Sequence, residues 1–165
     1  MNRLDLHKLH ALIQQVGRCS FSGRLWCVDP GETTGTAIFE HSKDQTTLIN
    51  AQQVKTWPIE DAVSSLTQQL RDYTPNLVVF ESYHIYDWKL AQHSFADVPT
   101  LQIIGVMKTL CIQRNVPFVA QSAQTGKGFV TDDRLKLWSL HIPGQVHSRD
   151  AVRHGCQYLI FDKKS

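Results

Sequence analysis

The sequence predicts an α/β protein of one principal domain, a mixed sheet flanked by helices. Two patterns predict it. Three strand-like runs follow one another as a meander, and after them segments of helical period alternate with short apolar runs. The length of 165 residues suits one domain with a sizeable core.

Leu4, Leu9, Leu12, Ile13 and Val16 recur at roughly helical spacing and predict an amphipathic helix within residues 1–16. Gly17, Ser20, Ser22 and Gly23 make a flexible connection. Arg24–Asp29 is a continuous apolar strand closing on a carboxylate. The Pro30-Gly31 turn leads to a second strand, Thr34–Glu40, so a hairpin is expected. Thr46–Val54, rich in β-branched and polar residues, suits an outer strand. Ile59, Val63, Leu66 and Leu70 set a helix over Pro58–Tyr73, with proline at its start. Leu77–Phe80 is a short strand ending in Glu81. A helix over Pro99–Arg114, a fifth strand over Val116–Ala120, a short helix over Thr131–Leu140 and a last helix over His147–Phe161 complete the order. The expected division is an N-terminal helical extension, residues 1–23, ahead of the principal α/β domain, residues 24–165.

Hydrophobic residues make up 42% of the chain and charged residues 19%, a soluble composition. No apolar run approaches the roughly 20 residues that cross a bilayer, and the N-terminus lacks a signal pattern. A cytoplasmic location is expected. None of Cys19, Cys27, Cys111 and Cys156 forms a CxxC pair, which argues against a zinc ribbon or a redox dithiol. The net charge is +2, with the positive excess at the two ends. Residues 1–30 carry four Lys/Arg against two Asp/Glu, and residues 127–165 carry seven against four. That distribution permits a nucleic-acid partner.

Asp29 and Glu81 share a context: each ends a fully apolar strand, Leu-Trp-Cys-Val-Asp and Leu-Val-Val-Phe-Glu. If the strands are parallel neighbours, about 4.8 Å apart, both carboxylates reach the same edge of the sheet. Ligands of open α/β sheets gather at that edge. A buried carboxylate needs a partner, and a divalent cation is one. On the last helix, His147, Asp150 and His154 fall on one narrow face at about 100° per residue, which adds a third acid. A zinc site built from those three alone is a competing arrangement, although tetrahedral sites usually draw on separate segments.

CVDPGETTGTAIF, LVVFES and HSRDAVRHG, in this order, resemble the RuvC-type Holliday-junction resolvases of the RNase H-like superfamily, in particular the small resolvase-like proteins encoded by bacteriophages. The resemblance covers roughly residues 24–161. It implies a five-stranded mixed sheet and a homodimeric endonuclease that cuts branched DNA with two divalent metals, normally Mg2+. It implies Asp29, Glu81, Asp150 and His147 as metal ligands and catalytic residues. His147 stands where many members have aspartate and some have histidine. Magnesium prefers oxygen ligands, so Mn2+ is an expected alternative. Lys127, between Gly126 and Gly128, matches loosely a functional lysine of the family. Lys136, Arg149 and Arg153 are further candidates for DNA phosphates. Tyr83 and Tyr86 are candidates for stacking on unpaired bases, whereas Trp88 is assigned to packing.

Two other classes compete. An inactive branched-nucleic-acid-binding module would use the same fold without cutting. The run Asp29–Thr36 also resembles the first phosphate loop of sugar-kinase and actin-like ATPases. Those proteins need two domains and a second phosphate loop, and the chain shows neither.

Overall fold

The apolar run Leu25–Val28 becomes the middle of a six-stranded sheet in the computed structural model, which describes residues 4–83, 98–122, 124 and 128–161. The strands are β1 (Leu4–Asp5), β2 (Gly23–Asp29), β3 (Thr33–His41), β4 (Thr46–Lys55), β5 (Leu77–Ser82) and β6 (Phe118–Ser122). The helices are α1 (His7–Val16), α2 (Ile59–Tyr73), α3 (Pro99–Gln113), α4 (Asp132–Leu137) and α5 (Val146–Phe161). The sheet order is β1-β4-β3-β2-β5-β6. β1, β4, β3 and β2 pair antiparallel, while β2, β5 and β6 run parallel.

Alternation along the central strands separates two cores. Leu25 and Cys27 of β2, Phe39 of β3 and Val79 of β5 pack beneath α5 and α1. Trp26, Val28, Ile38, Val78 and Phe80 point the other way and meet Leu66 of α2 with Ile103 and Met107 of α3. Gly155 allows α5 its close approach, because a Cβ there would overlap the Phe39 ring and Cys27 Sγ. None of the four cysteines forms a disulfide. Burial pushes the Cys27 and Cys156 thiols up and takes Cys111 to about 11.

The expected α/β architecture holds, with shifts that have local causes. A sixth strand, β1, lies at the edge. The Leu6 amide donates to the Thr46 carbonyl, so the chain pairs with β4 before its helix begins. Leu6, Leu9 and Ile13 are fully buried in the same core as α5. β5 continues through Glu81 to Ser82 because β6 pairs along it, Glu81 opposite Gln121. β6 accordingly begins two residues later than its apolar run. α4 is shorter than expected, and the Thr131 hydroxyl caps it by accepting from the Arg134 amide.

Candidate active site

β2 and β5 are parallel neighbours in register from Leu25–Leu77 to Val28–Phe80. Asp29 and Glu81 each follow the last of these pairs. By alternation, both side chains emerge on the face covered by α5. Asp150 sits in the second turn of α5 and is as buried as Asp29, each 8% exposed. The structure thus brings the three acids named from the sequence to one edge, two on strands and one on the helix above them.

Burial is the main cause that raises the Asp29 carboxyl from 3.8 to about 6. The hydrogen bond from His147 opposes that rise, and the charges of Glu81 and Asp150 add to it.

Each acid has a basic partner from α5. His147 Nδ1 lies 2.8 Å from Asp29 Oδ2. His154 Nε2 lies 3.0 Å from Glu81 Oε2. Arg153 pairs with Asp150 one turn earlier and also with Asp132 at the start of α4, and its Nε donates to the Val130 carbonyl at 3.0 Å. A cleft of about 450 Å³ opens beside Asp150, lined by Val130, Thr131, Asp132, Val146, Asp150 and Arg153.

The start of α5 is placed from the sheet. The His147 amide donates to Gln53 Oε1 of β4 at 2.9 Å, which satisfies one free donor of the helix N-terminus. Gly35 faces Asp29 in the β2–β3 register. A Cβ on Gly35 would overlap the His147 carbonyl, so only glycine admits the helix this close. The threonines of the preceding turn bond internally. Thr34 Oγ1 lies 2.7 Å from Thr56 Oγ1, and both hydroxyls donate to the Gly31 carbonyl. Thr34 of the Thr-Thr-Gly-Thr run thus bonds within the turn and to Thr56.

Among the described residues, no group of three or more His, Cys, Asp or Glu side chains is arranged to hold a metal ion. The zinc triad is therefore not formed: His147 and His154 turn to acids on different strands. The carboxylates do fit a hard divalent cation by their chemistry. They supply oxygen donors, and the charges of Glu81 and Asp150 add to the rise of the buried Asp29 carboxyl, which a bound cation would oppose.

The DNA-contact candidates fare differently. Lys136 is exposed on α4 and 3.6 Å from Asp133. Arg149 is half-buried, with Nη1 3.4 Å from His141 Nε2 and 3.5 Å from the Ile142 carbonyl. Arg153 is committed to Asp150, Asp132 and Val130. Tyr83 packs against the core beneath α2 and α3. Tyr86, Trp88 and Lys127 lie outside the described residues.

Gln53, Gln121 and Asp132 were not legible as site residues. Each gains its place through a neighbour distant in sequence. His154 carried a weak signal, lying one turn after Asp150 on the same face.

Neither a protein-family model nor a curated protein sequence matches the chain. Solved structures do. RuvC of Thermus thermophilus in complex with a Holliday junction substrate aligns with TM-score 0.63 and 16% identity, over 83% of this chain and 93% of that one. The fowlpox virus Holliday junction resolvase aligns with TM-score 0.59 and 18% identity, over 82% and 97%. The yeast mitochondrial Holliday junction resolvase aligns with TM-score 0.52 and 10% identity, over 93% and 83%. The chain therefore has the mixed α/β, RNase H-like fold of the Holliday junction resolvases.

Proposed function

We propose that this protein is a metal-dependent, structure-specific endodeoxyribonuclease that cuts branched DNA such as four-way junctions, of the RuvC type and its bacteriophage-encoded branch. The observation that carries the reading is the convergence of Asp29, Glu81 and Asp150 at the carboxyl edge of the sheet. The solved structures support it at the level of fold, since two of the aligned resolvases were captured with junction DNA.

Asp29, Glu81, Asp150 and His147 are the residues that would hold two Mg2+ ions, with Mn2+ as an alternative. When bound, such ions supply an activated water and stabilise the charge that develops on the phosphate. The chain's own residues arrange the donors. His147 directs one Asp29 oxygen, and Arg153 fixes the Asp150 rotamer against α4. The cleft beside Asp150 gives the DNA backbone an approach. Lys127, Lys136, Arg149 and Arg153 are the proposed phosphate contacts, and Tyr83 and Tyr86 the proposed base contacts. Resolving a junction takes two symmetric cuts, so the active form in this reading is a homodimer. Residues 1–23 would act as an extension of the catalytic unit, working in the cytoplasm of a bacterial or phage-infected cell.

One observation favours the inactive binding module instead: every acid of the site already has a basic partner from α5. Cleavage of a four-way junction, a flap and a linear duplex in Mg2+ or Mn2+ separates the two readings. The nuclease reading expects metal-dependent cutting of branched DNA, abolished in Asp29→Asn, Glu81→Gln and Asp150→Asn with folding retained. Tight junction binding without cutting in either metal would establish the binding module.

A further inference from the structure

We propose that His154, held by Gln121, is the positioning residue that aims the Glu81 carboxylate at the cation site. The inference rests on the reading of Glu81 as a metal ligand and adds to it a support for that ligand.

His154 is 1% exposed, in the third turn of α5. Its two ring nitrogens reach different strands: Nε2 meets Glu81 Oε2 of β5 at 3.0 Å, and Nδ1 meets Gln121 Oε1 of β6 at 2.9 Å. Glu81 and Gln121 are opposite each other in the parallel β5–β6 register. The imidazole therefore closes a ring of contacts across two neighbouring strands. The Ser82 hydroxyl donates to the Gln121 carbonyl at 3.1 Å, a further tie between β5 and β6.

A glutamate has one more rotatable bond than an aspartate and stands farther from its backbone. Asp29 and Asp150 are buried and held by His147 and Arg153, whereas Glu81 is less buried than either. Fixing one oxygen through Nε2 leaves the other free to face a cation. Hydrogen bonds of this kind to metal-binding carboxylates typically carry 10–100-fold in metal affinity. A buried imidazole needs partners for its ring nitrogens, and here one of the two is the carboxylate proposed as a metal ligand.

The test is calorimetric titration of wild type, His154→Leu, His154→Gln and Gln121→Leu with Mn2+, alongside the Mn2+ dependence of junction cleavage. Circular dichroism and melting temperature serve as controls. His154→Leu should bind Mn2+ at least tenfold more weakly and need correspondingly more Mn2+ for half-maximal cleavage, while cleavage at saturating Mn2+ falls less. His154→Gln, which keeps a donor for Glu81, should recover part of the loss. Gln121→Leu, on the edge strand and outside the central core, should weaken binding in the same direction. Unchanged Mn2+ affinity and half-saturation in a folded His154→Leu or Gln121→Leu, with only the melting temperature lowered, would show a purely structural histidine. A wild type that neither cuts nor binds Mn2+ would overturn the nuclease reading and this role together.

Discussion

His147 Nδ1 stands 2.8 Å from Asp29 Oδ2, joining the first turn of the last helix to the end of the first central strand across 118 positions of sequence. Around this contact the sheet and α5 share one set of charges. Changes to either partner should therefore be read in stability and in metal response together.

The buried Asp29 carboxyl should make the metal-free protein less stable as it ionises. Its folded value, about 6, lies above its ordinary 3.8. Its contribution to stability is thus complete below pH 3.8 and is lost as pH rises through 6. Asp29→Asn in EDTA should be more stable than wild type at pH 8, by on the order of 2–3 kcal/mol, and the difference should vanish near pH 4. Mg2+ should stabilise the wild type at pH 8 and leave the variant unmoved. Thermal melts across pH 4–8 check both.

His147→Asp should shift metal preference. The change replaces a nitrogen donor with a hard carboxylate beside Asp29, which favours magnesium over manganese. The ratio of cleavage rates in Mn2+ to those in Mg2+ should fall below that of wild type. Without metal, the added negative charge should lower the melting temperature above pH 6.

Gly35→Ala should push the start of α5 away from β3, since the new methyl would meet the backbone of His147 and Ser148. Overpacking of this kind typically costs about 1–3 kcal/mol. Because the displaced residue is His147, cleavage should fall further than the stability loss explains. Gly155→Ala, which meets Phe39 and Cys27, should cost stability with less effect on cutting in the molecules that remain folded. Denaturant midpoints and cleavage rates of the two variants make the comparison.

The N-terminal helix should dock in an acid-sensitive way. His10 Nδ1 and His41 Nδ1 lie 2.9 and 2.8 Å from the same Thr46 hydroxyl. Burial, and then the charge of His10, hold His41 below its ordinary 6.5. That contribution is present above pH 6.5 and is lost as pH falls below it. His41→Gln should flatten the acid side of the stability profile. Thr46→Val, which leaves both imidazoles without their shared partner, should cost about 1–3 kcal/mol at pH 7.5. Chemical denaturation from pH 5 to 8 reads both.

Much of the fold was legible because burial leaves periodic marks. Leu25–Val28 and Leu77–Phe80 are apolar on both faces since each is covered on both faces, and Ile59–Leu70 repeats at helical spacing because α2 buries one side. The edges were less legible. Leu4–Asp5 is too short to show a period, and the extension of β5 to Ser82 depends on β6 pairing beside it.

By itself the sequence determined the candidate acids and the elements that carry them. Asp29 and Glu81 end apolar runs, and Asp150 lies on the inner face of a helix, so local pattern places all three. Tertiary structure alone decided their partners. His154 reaches Glu81 and Gln121 because β6 lies beside β5, Gln53 meets His147 because β4 lies beside β3, and Arg153 turns to Asp132 because α4 packs against α5. Hydrogen bonds between residues 21 to 94 positions apart leave no period in a sequence, since their geometry exists only once strand order and helix packing have brought those residues within 3 Å.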